Sequence, residues 1–439
     1  MSPKKFAPKL FALLVVVSLL ATFAVTFTPT SAQSATDDNA PITVWIDQPR
    51  QPMMDAYLKA NPDKASLIKT VVVDREQFPS KVLLFNNTNQ GWPDVVFAEP
   101  RLVGRVADVA HQFPLDLTSL VSPDIMKDYA GMAGCTFGDK IYCLRNDLAQ
   151  FVVYYNKPLM DKFGYTVPQT FDDLQALSDK VAKDHPGYLL GTFGDGWTFL
   201  SFFDASGCPS HELVNDNELK IDPTDPRCIR AAKLVDHMLA NGTLWNTDYF
   251  NASFVKELND NKFLMASMPA WIWGTFAGTY YTSSEHQLAI SAPLKWAADD
   301  ASAWQTPAMG GGAWTVSQHT KNPKLAVALI TFLTTSPDVW TGPTATNFPA
   351  YKPLMPVWEK AVASNPIWAT DPYSVMSAAA EIISPLDKWP RFDLISPLNQ
   401  LVTGAQTDKA TIESVLPQVV TLFQPLAEAD GYQVDAPSS

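Results

Sequence analysis

The chain has 439 residues, of which 46% are hydrophobic and 11% aromatic, and its formal net charge is −13. This composition excludes a disordered chain, because a large apolar fraction with 13 tryptophans can bury a core. The acidic balance argues against anionic partners, so we expect no nucleic acid and no acidic lipid surface as a partner. About 400 residues exceed what a single hydrophobic core usually holds, so we expect two lobes or domains.

The N-terminus has the three-part pattern of an export signal, predicted over residues 1–34. Lysines precede an apolar run from Leu10 to Phe27, and small residues follow it. Cleavage after Ala32 or Ser34 would remove three lysines and no acids, which moves the net charge from −13 to −16. The apolar run of about 18 residues is close to membrane-spanning length, so an uncleaved anchor is the alternative. Either way the protein is predicted outside the cytoplasmic membrane, in the periplasm or at the cell surface.

Four cysteines follow this segment, and their even number in an exported chain predicts two disulfide bonds. Cys135 and Cys143 flank a Gly-Asp turn signal, so they can face each other across a hairpin. Cys208 and Cys228 are then left to pair with each other. A zinc site is the alternative, but the sequence has no C-x-x-C pair and no histidine cluster near these cysteines. We therefore expect no metal and no cofactor.

Strand and helix patterns alternate after the signal. Apolar runs at 42–46, 66–75 and 92–100 predict buried strands, and the segment MMDAYLKANPD between the first two has a helical pattern. Such alternation is typical of βαβ units, so we expect a largely parallel sheet.

Longer helices are predicted further along the chain. Residues 168–187 have Thr170 as a plausible N-cap, with an acidic residue three positions later. Residues 229–244 end at an Asn-Gly cap signal, and residues 321–340 are bounded by prolines. After residue 352 repeated prolines predict short packed helices rather than a linker.

Two stretches carry a recognisable family pattern, VVYYNKPLMDKFGYTVPQTFDDL at 152–174 and GGGAWTVSQHTKNPKLAVALITFL at 310–333. Together with the order of the other segments, they resemble the extracellular solute-binding proteins of ABC importers, in particular the sugar-binding, maltose-binding-protein-like group. The resemblance covers residues 42–350. It implies an α/β, two-lobed periplasmic-binding-protein fold, in which each lobe is a sheet flanked by helices and a hinge with several chain crossings joins the lobes.

The resemblance also implies the domain boundaries. Lobe 1 is predicted to contain residues 41–149 and 312–347, and lobe 2 to contain residues 150–311 and 348–439. The crossings are expected near Leu148–Val152, Gly310–Trp314 and Asn347–Tyr351. Three consecutive glycines, Gly310 to Gly312, suit a crossing because glycine relaxes backbone limits, although a plain tight loop is the alternative.

A sugar ring has polar edges, which call for planar hydrogen-bonding groups, and partly apolar faces, which call for aromatic rings. By resemblance, the strand that leads into PAWIWG brings Trp271 to the cleft. Trp273 would share its side if the segment is extended, because side chains alternate along a strand. Packing in the core is the alternative for both indoles.

Polar candidates come from loops that follow predicted strands, where ligands of open α/β sheets bind. In the family, an acidic residue precedes the strand that contains YYN. That position aligns with Ala149 here, so its role does not transfer directly, and the neighbouring polar residues Asp147 and Gln150 are the candidates. A solvated loop position or a helix cap is the alternative for each polar candidate. The predicted ligand-binding residues are Trp271, Asp47, Gln48, Glu99, Arg101, Asp147, Gln150, Asp195, Trp197, Trp273, Trp314 and Arg391.

The resulting hypothesis is a monomeric, non-catalytic protein that captures a mono- or oligosaccharide and delivers it to the transmembrane subunits of an importer. The first alternative keeps the fold but binds a polyamine, a peptide or another small solute. A second alternative is a secreted glycoside hydrolase, although the sequence has neither a G-x-S-x-G nor an H-E-x-x-H motif. A structural or adhesive protein, the third, would have no closing cleft.

Overall fold

A computed structural model of the chain describes residues 36–107, 111–272, 288–299, 305–341, 347–362, 365–384, 386 and 388–437. The predicted signal over residues 1–34 and the candidate Trp273 lie outside the described residues. The strands are β1 Ile42–Ile46, β2 Ile68–Val72, β3 Val95–Ala98, β4 Thr136–Phe137, β5 Lys140–Ile141, β6 Leu144–Arg145, β7 Asp147–Leu148, β8 Phe151–Asn156, β9 Glu212–Asn215, β10 Glu218–Lys220, β11 Met265–Pro269, β12 Leu288–Ser291, β13 Ala313–Val316, β14 Phe348–Pro349 and β15 Gln433–Asp435.

The helices cover much of the remaining chain. They are α1 Gln51–Ala60, α2 Phe78–Thr88, α3 Pro100–Val106, α4 Pro123–Met126, α5 Lys157–Phe163, α6 Phe171–Asp184, α7 Gly196–Ala205, α8 Pro226–Ala240, α9 Ala252–Asn259, α10 Pro323–Thr335, α11 Met355–Val362, α12 Tyr373–Ala380, α13 Ile395–Asp408, α14 Ile412–Val415 and α15 Gln418–Ala429.

The fold is α/β with two lobes, and the first lobe is built on a five-stranded sheet of order β2-β1-β3-β13-β6. The three strands expected from the sequence are β1, β2 and β3, and β1 pairs parallel with both of the others. The predicted parallel arrangement is therefore confirmed for these three strands. The sheet is mixed, however, because β13 returns late in the sequence and pairs antiparallel with β3 and with β6.

Helices cover both faces of this sheet. Because alternate residues of a strand point to opposite sides, each strand can contribute side chains to the packing on both faces. In β3, Val95 and Phe97 join the core cluster that includes α1 and α10, whereas Val96 and Ala98 join the cluster that includes α2 and α3. All four side chains are buried. A strand buried on both faces reads as a continuous apolar run, which is why VVFA shows no alternation of polar and apolar residues.

The second lobe contains a three-stranded antiparallel sheet of order β11-β8-β12. Its helices α6, α7, α8, α13 and α15 supply side chains to one large buried cluster. The predicted helix over 168–187 is α6, and Thr170 forms the expected capping box with Asp173. The predicted helix over 229–244 begins earlier, at Pro226, because Asp225 caps it. These sheet memberships agree with the proposed assignment of strands to lobes, while the boundaries of the lobes stay a prediction.

Both predicted disulfide bonds are present. Cys135–Cys143 closes the hairpin of β4 and β5, and Cys208–Cys228 closes the segment that contains β9 and β10. All four cysteines are fully buried.

Three segments in which crossings between the lobes are predicted lie side by side, and the carboxylate of Asp147 connects them. Its Oδ1 accepts hydrogen bonds from the Gly312 N–H at 3.1 Å and from the Asn146 amide at 2.8 Å. Its Oδ2 accepts one from the Asn347 amide at 3.0 Å. In the same place β7 pairs with β14. These are the segments in which the crossings were expected.

Arg145 completes this connection from the other side. Its guanidinium is fully buried and donates to the carbonyl oxygens of Asp147, Gly131 and Gly310, each at 3.2 Å. Gly311 has φ +77°, and a Cβ on it would lie 2.8 Å from both Arg145 and the Asp147 carbonyl. The chain therefore needs glycine here both for its backbone conformation and for the close approach of Arg145.

We predict that Asp147→Ala destabilises the protein by about 3 kcal/mol, because it leaves several buried donors without an acceptor. The midpoint of urea unfolding would fall accordingly. Asp161→Ala is the control, since Asp161 lies on the surface of α5 and pairs with Lys157 across one helical turn. Equal midpoints for the two variants would contradict a structural role for Asp147.

Candidate functional site

A cleft of about 910 Å³ lies between the lobes and has the size of a small-molecule site. Its floor is the set of crossing segments, with Asp147, Asn347 and the stretch Met309–Gly312. The remaining lining residues are Asp47, Gln48, Pro49, Arg50, Gln51, Pro52, Arg75, Glu76, Glu99, Arg101, Trp197, Phe250, Trp271, Asp393, Ile395 and Ser396.

The first lobe contributes charged side chains that follow the parallel strands. Asp47 directly follows β1, Arg75 and Glu76 follow β2, and Glu99 directly follows β3. Because parallel strands end at the same edge of a sheet, these loops meet at one place. The geometry of the sheet therefore explains why residues more than fifty positions apart share one wall of the cleft.

These side chains form a continuous ion-pair network. Arg75 contacts Asp47 Oδ2 at 3.3 Å and Glu99 Oε1 at 2.9 Å. Arg101 contacts Glu99 Oε2 at 2.6 Å and also pairs with Glu76. Burial would raise the pKa of Glu99, but the charges of Arg101 and Arg75 outweigh it and hold that pKa below its ordinary value. Glu99 is therefore a carboxylate at neutral pH.

Two polar atoms of this wall are buried and lack a hydrogen-bond partner among the described residues, Asp47 Oδ1 and Arg50 Nε. They lie 3.9 Å apart, which is too far for a direct hydrogen bond. Buried polar atoms without partners carry a free-energy cost, so a hydroxyl group that bonds to either of them would bind favourably.

The second lobe contributes aromatic rings. Trp271 lies two residues after the end of β11, and its indole N–H donates to the Met309 carbonyl oxygen at 2.8 Å. This bond fixes the edge of the ring against the floor of the cleft. Phe250 lies nearly parallel to it, with ring centroids 6.0 Å apart and an interplanar angle of 19°. Phe250 is 56% exposed, so this pair presents apolar surface to the cleft.

A second aromatic pair meets the charged wall. Trp197, near the start of α7, packs on Trp389 with centroids 5.2 Å apart. The guanidinium of Arg101 lies 5.1 Å from the centroid of Trp197 and 5.8 Å from that of Trp389. Arg101 therefore links the ion-pair network of the first lobe to indoles of the second lobe through cation–π contacts.

The cleft brings together many of the residues predicted from the sequence. They are Asp47, Gln48, Glu99, Arg101, Asp147, Trp197 and Trp271. Their contact with a ligand stays a prediction. Asp147 already accepts its hydrogen bonds from the crossing segments.

Other predicted residues lie away from the cleft lining. Gln150 is buried and donates to the Met376 carbonyl. Asp195 is the N-cap of α7, bonded to the Thr198 N–H at 2.8 Å, and burial raises its pKa. Trp314 is fully buried in β13, with its N–H bonded to Asn146. Arg391 donates to the carbonyls of Asp216 and Asp430.

The sequence-based selection missed several lining residues. Arg75 and Glu76 were missed because the second strand was expected to extend to Arg75, whereas β2 ends at Val72. The rule that selects loops after strands would have found both residues with the correct strand end. Phe250 has no such signal, because it lies in an irregular loop before α9 and reaches Trp271 only through the tertiary fold.

The fold is similar to that of solved sugar-binding proteins. The binding protein of Bifidobacterium animalis subsp. lactis in complex with β-1,6-galactobiose matches with a TM-score of 0.72 and 17% identity, over 90% of this chain and 99% of that one. The GL-BP protein of Bifidobacterium longum in complex with lacto-N-biose matches with a TM-score of 0.71 and 17% identity, over 91% of this chain and 100% of that one. The GacH receptor of Streptomyces glaucescens matches with a TM-score of 0.69 and 16% identity, over 90% of this chain and 100% of that one.

The family model described as bacterial extracellular solute-binding protein matches residues 53–373. The chain belongs to this family. A probable sugar-binding periplasmic protein of Mesorhizobium japonicum is 35% identical to this chain over 105 residues. That match covers 21% of this chain and 25% of the relative.

The part of the chain that the structure describes contains neither a helix suited to crossing a membrane nor a group of three or more side chains suited to holding a metal ion.

Behind the aromatic wall of the solute-binding protein lies a fully buried histidine, His211. Its ring centroid is 6.4 Å from that of Trp389, and its Nδ1 is 3.2 Å from the Ser210 hydroxyl. Burial lowers the pKa of His211 from 6.5 to about 4. The folded protein therefore keeps this ring neutral at a pH at which the unfolded chain binds a proton.

We predict that this histidine makes stability depend on pH. Its contribution is complete above pH 6.5 and is lost as the pH falls towards 4, because only the unfolded state is protonated in that window. Between pH 7 and pH 5 the loss is about 2 kcal/mol. His211→Phe should remove this part of the pH dependence in urea unfolding. A variant with the same pH dependence as the wild type would refute the assignment.

Proposed function

We propose that this protein is the substrate-binding component of an ABC importer and captures a mono- or oligosaccharide in the cleft between its lobes. The observation that carries the proposal is the two-sided chemistry of the cleft. Carboxylates and guanidinium groups line the first lobe, and Trp271, Phe250 and Trp197 line the second.

This pairing fits the chemistry of a sugar ring. The face of a pyranose packs on an aromatic ring, and the Trp271–Phe250 pair offers such a surface. The hydroxyl groups at the ring edge need acceptors and donors held at fixed positions, which Asp47, Glu99 and Arg101 supply. The unsatisfied Asp47 Oδ1 and Arg50 Nε add one acceptor and one donor.

The relatives support the same ligand class. Structurally similar proteins are described as complexes with β-1,6-galactobiose and with lacto-N-biose, and the relative that is similar in sequence is described as probably sugar-binding. We therefore propose a saccharide, delivered to the transmembrane subunits of an importer by a monomeric protein that works outside the cytoplasmic membrane.

The same contacts weigh against the two main alternatives. A polyamine needs carboxylates whose charge is not already balanced, but the charges of Asp47, Glu76 and Glu99 are balanced by arginines. A glycoside hydrolase needs a carboxylic acid with a raised pKa to protonate the leaving group. The buried Glu99 has a lowered pKa instead, so it is unsuited to that role.

The first test is a thermal-shift screen against mono- and oligosaccharides, with polyamines and peptides as the comparison classes. A ligand that binds only the folded state raises its stability by about 2.7 kcal/mol at a hundredfold excess over Kd. We expect a rise in the unfolding temperature with at least one saccharide, and the sugar recovered afterwards should be unchanged. A shift with polyamines or peptides alone, or hydrolysis of the sugar, would overturn the proposal.

The second test concerns the aromatic surface. Trp271→Ala removes the ring proposed to pack on the sugar, and we expect a loss of affinity of about tenfold to a hundredfold in calorimetric titration. Trp296→Ala is the matched control, because Trp296 packs on Phe171 in the second lobe and does not line the cleft. Equal affinities for the two variants would rule out a stacking role for Trp271.

A further inference from the structure

The two disulfide-closed loops touch each other, although they belong to different lobes. Gly138 lies in the loop closed by Cys135–Cys143, and Asp216 lies in the loop closed by Cys208–Cys228. The Gly138 N–H donates to Asp216 Oδ2 at 2.7 Å. This contact lies outside the crossing segments and joins the lobes at a further place, apart from the contact of Arg101 with Trp197.

The first-lobe side of the contact is firmly held. The Cys135–Cys143 bond is buried in the cluster that contains β3 and α3, which fixes the base of the hairpin. The Phe137 ring packs so closely on α3 that a Cβ on Gly104 would lie 2.9 Å from it. Gly138 has φ +60°, so the turn presents its N–H in a conformation that glycine readily adopts.

The second-lobe side supplies a charged partner. Lys388 donates to Asp216 Oδ1 at 2.6 Å, and its ammonium group lies 5.1 Å from the centroid of the Phe137 ring. Lys388 therefore contacts both loops. Burial would raise the pKa of Asp216, but the hydrogen bonds from Lys388 and from Gly138 outweigh burial and hold that pKa below its ordinary value. The carboxylate is therefore charged at neutral pH.

We propose that these two loops form an interlobe latch, consisting of Phe137, Gly138, Asp216 and Lys388, which holds the lobes in contact at a point away from the hinge. Trp389 follows Lys388 in the chain and packs on Trp197 in the cleft wall, so the latch is coupled to the position of that wall. The two disulfide bonds keep both loops in the shape that the contact requires. The latch would affect the proposed capture of a sugar through the position of this wall, but it can be tested without a sugar.

The test measures the separation of the lobes in ligand-free protein. Spin labels on genetically encoded keto residues at positions 83 and 426 leave the disulfide bonds intact. Leu83 of α2 and Leu426 of α15 are 41% and 37% exposed and line one groove, with Leu83 in the predicted first lobe and Leu426 in the predicted second. Pulsed electron paramagnetic resonance then gives the distribution of distances between the labels.

Asp216→Ala removes the acceptor of both latch bonds. We expect a second population with a distance longer by more than about 2 Å, and a ratio of separated to touching lobes that rises about tenfold. Glu218→Ala is the matched control, because Glu218 is an acid at the end of the same turn whose side chain accepts a hydrogen bond from Asn215 and takes no part in the latch. Lys388→Met keeps a long side chain beside Phe137 but loses the charge, and should give a smaller shift in the same direction.

The latch is disproved if Asp216→Ala keeps the wild-type distribution, or if Glu218→Ala changes it as much. If Asp216→Ala does not fold, the distance distribution of Lys388→Met is compared with those of the wild type and of Glu218→Ala. A distribution like that of the wild type then disproves the latch. A failed sugar screen leaves this result unaffected, so the two proposals stand or fall separately.

Discussion

The buried carboxylate of Asp147 is the constraint on which the two-lobed arrangement depends. A charge without water is tolerated only where donors surround it, and here the donors come from Asn146, Gly312 and Asn347. These residues lie on the three segments in which crossings between the lobes are predicted. Satisfying one charge therefore holds all three segments in register. Gly310 and Gly311 beside it have positive φ, so the same place combines fixed hydrogen bonds with a permissive backbone, which suits a hinge.

The cleft above this point is organised by charge pairing before any ligand arrives. Arg75 and Arg101 hold the carboxylates of Asp47, Glu76 and Glu99 in place, and Arg101 also contacts the indole of Trp197. Side chains that are already ordered lose little further entropy when they bind a ligand. The opposite wall is apolar and is anchored by the Trp271 hydrogen bond to the floor. A polar wall and an aromatic wall on separate lobes mean that closure brings both to the same ligand.

Local patterns predicted those parts of the site that follow directly from strand ends. Asp47 and Glu99, which line the cleft, were selected because they come immediately after strands, whereas Trp271 was selected by resemblance to the family. Trp314 and Gln150 were selected by similar reasoning but are buried, since a side chain near a crossing can point into the core as readily as into the cleft. Phe250 was missed, because its loop has no periodic pattern and its neighbour Trp271 is distant in sequence.

The sequence by itself determined the two disulfide pairs, the three parallel strands and the capped helix at Thr170, because each depends on residues close together in the chain or on a period of two or 3.6 residues. Only the tertiary structure decided that β13 completes the first sheet antiparallel, that Asp147 joins the crossings, and that Gly138 meets Asp216. Those contacts connect residues from 78 to 221 positions apart. No local pattern specifies such a contact, because it depends on how complete lobes pack against each other.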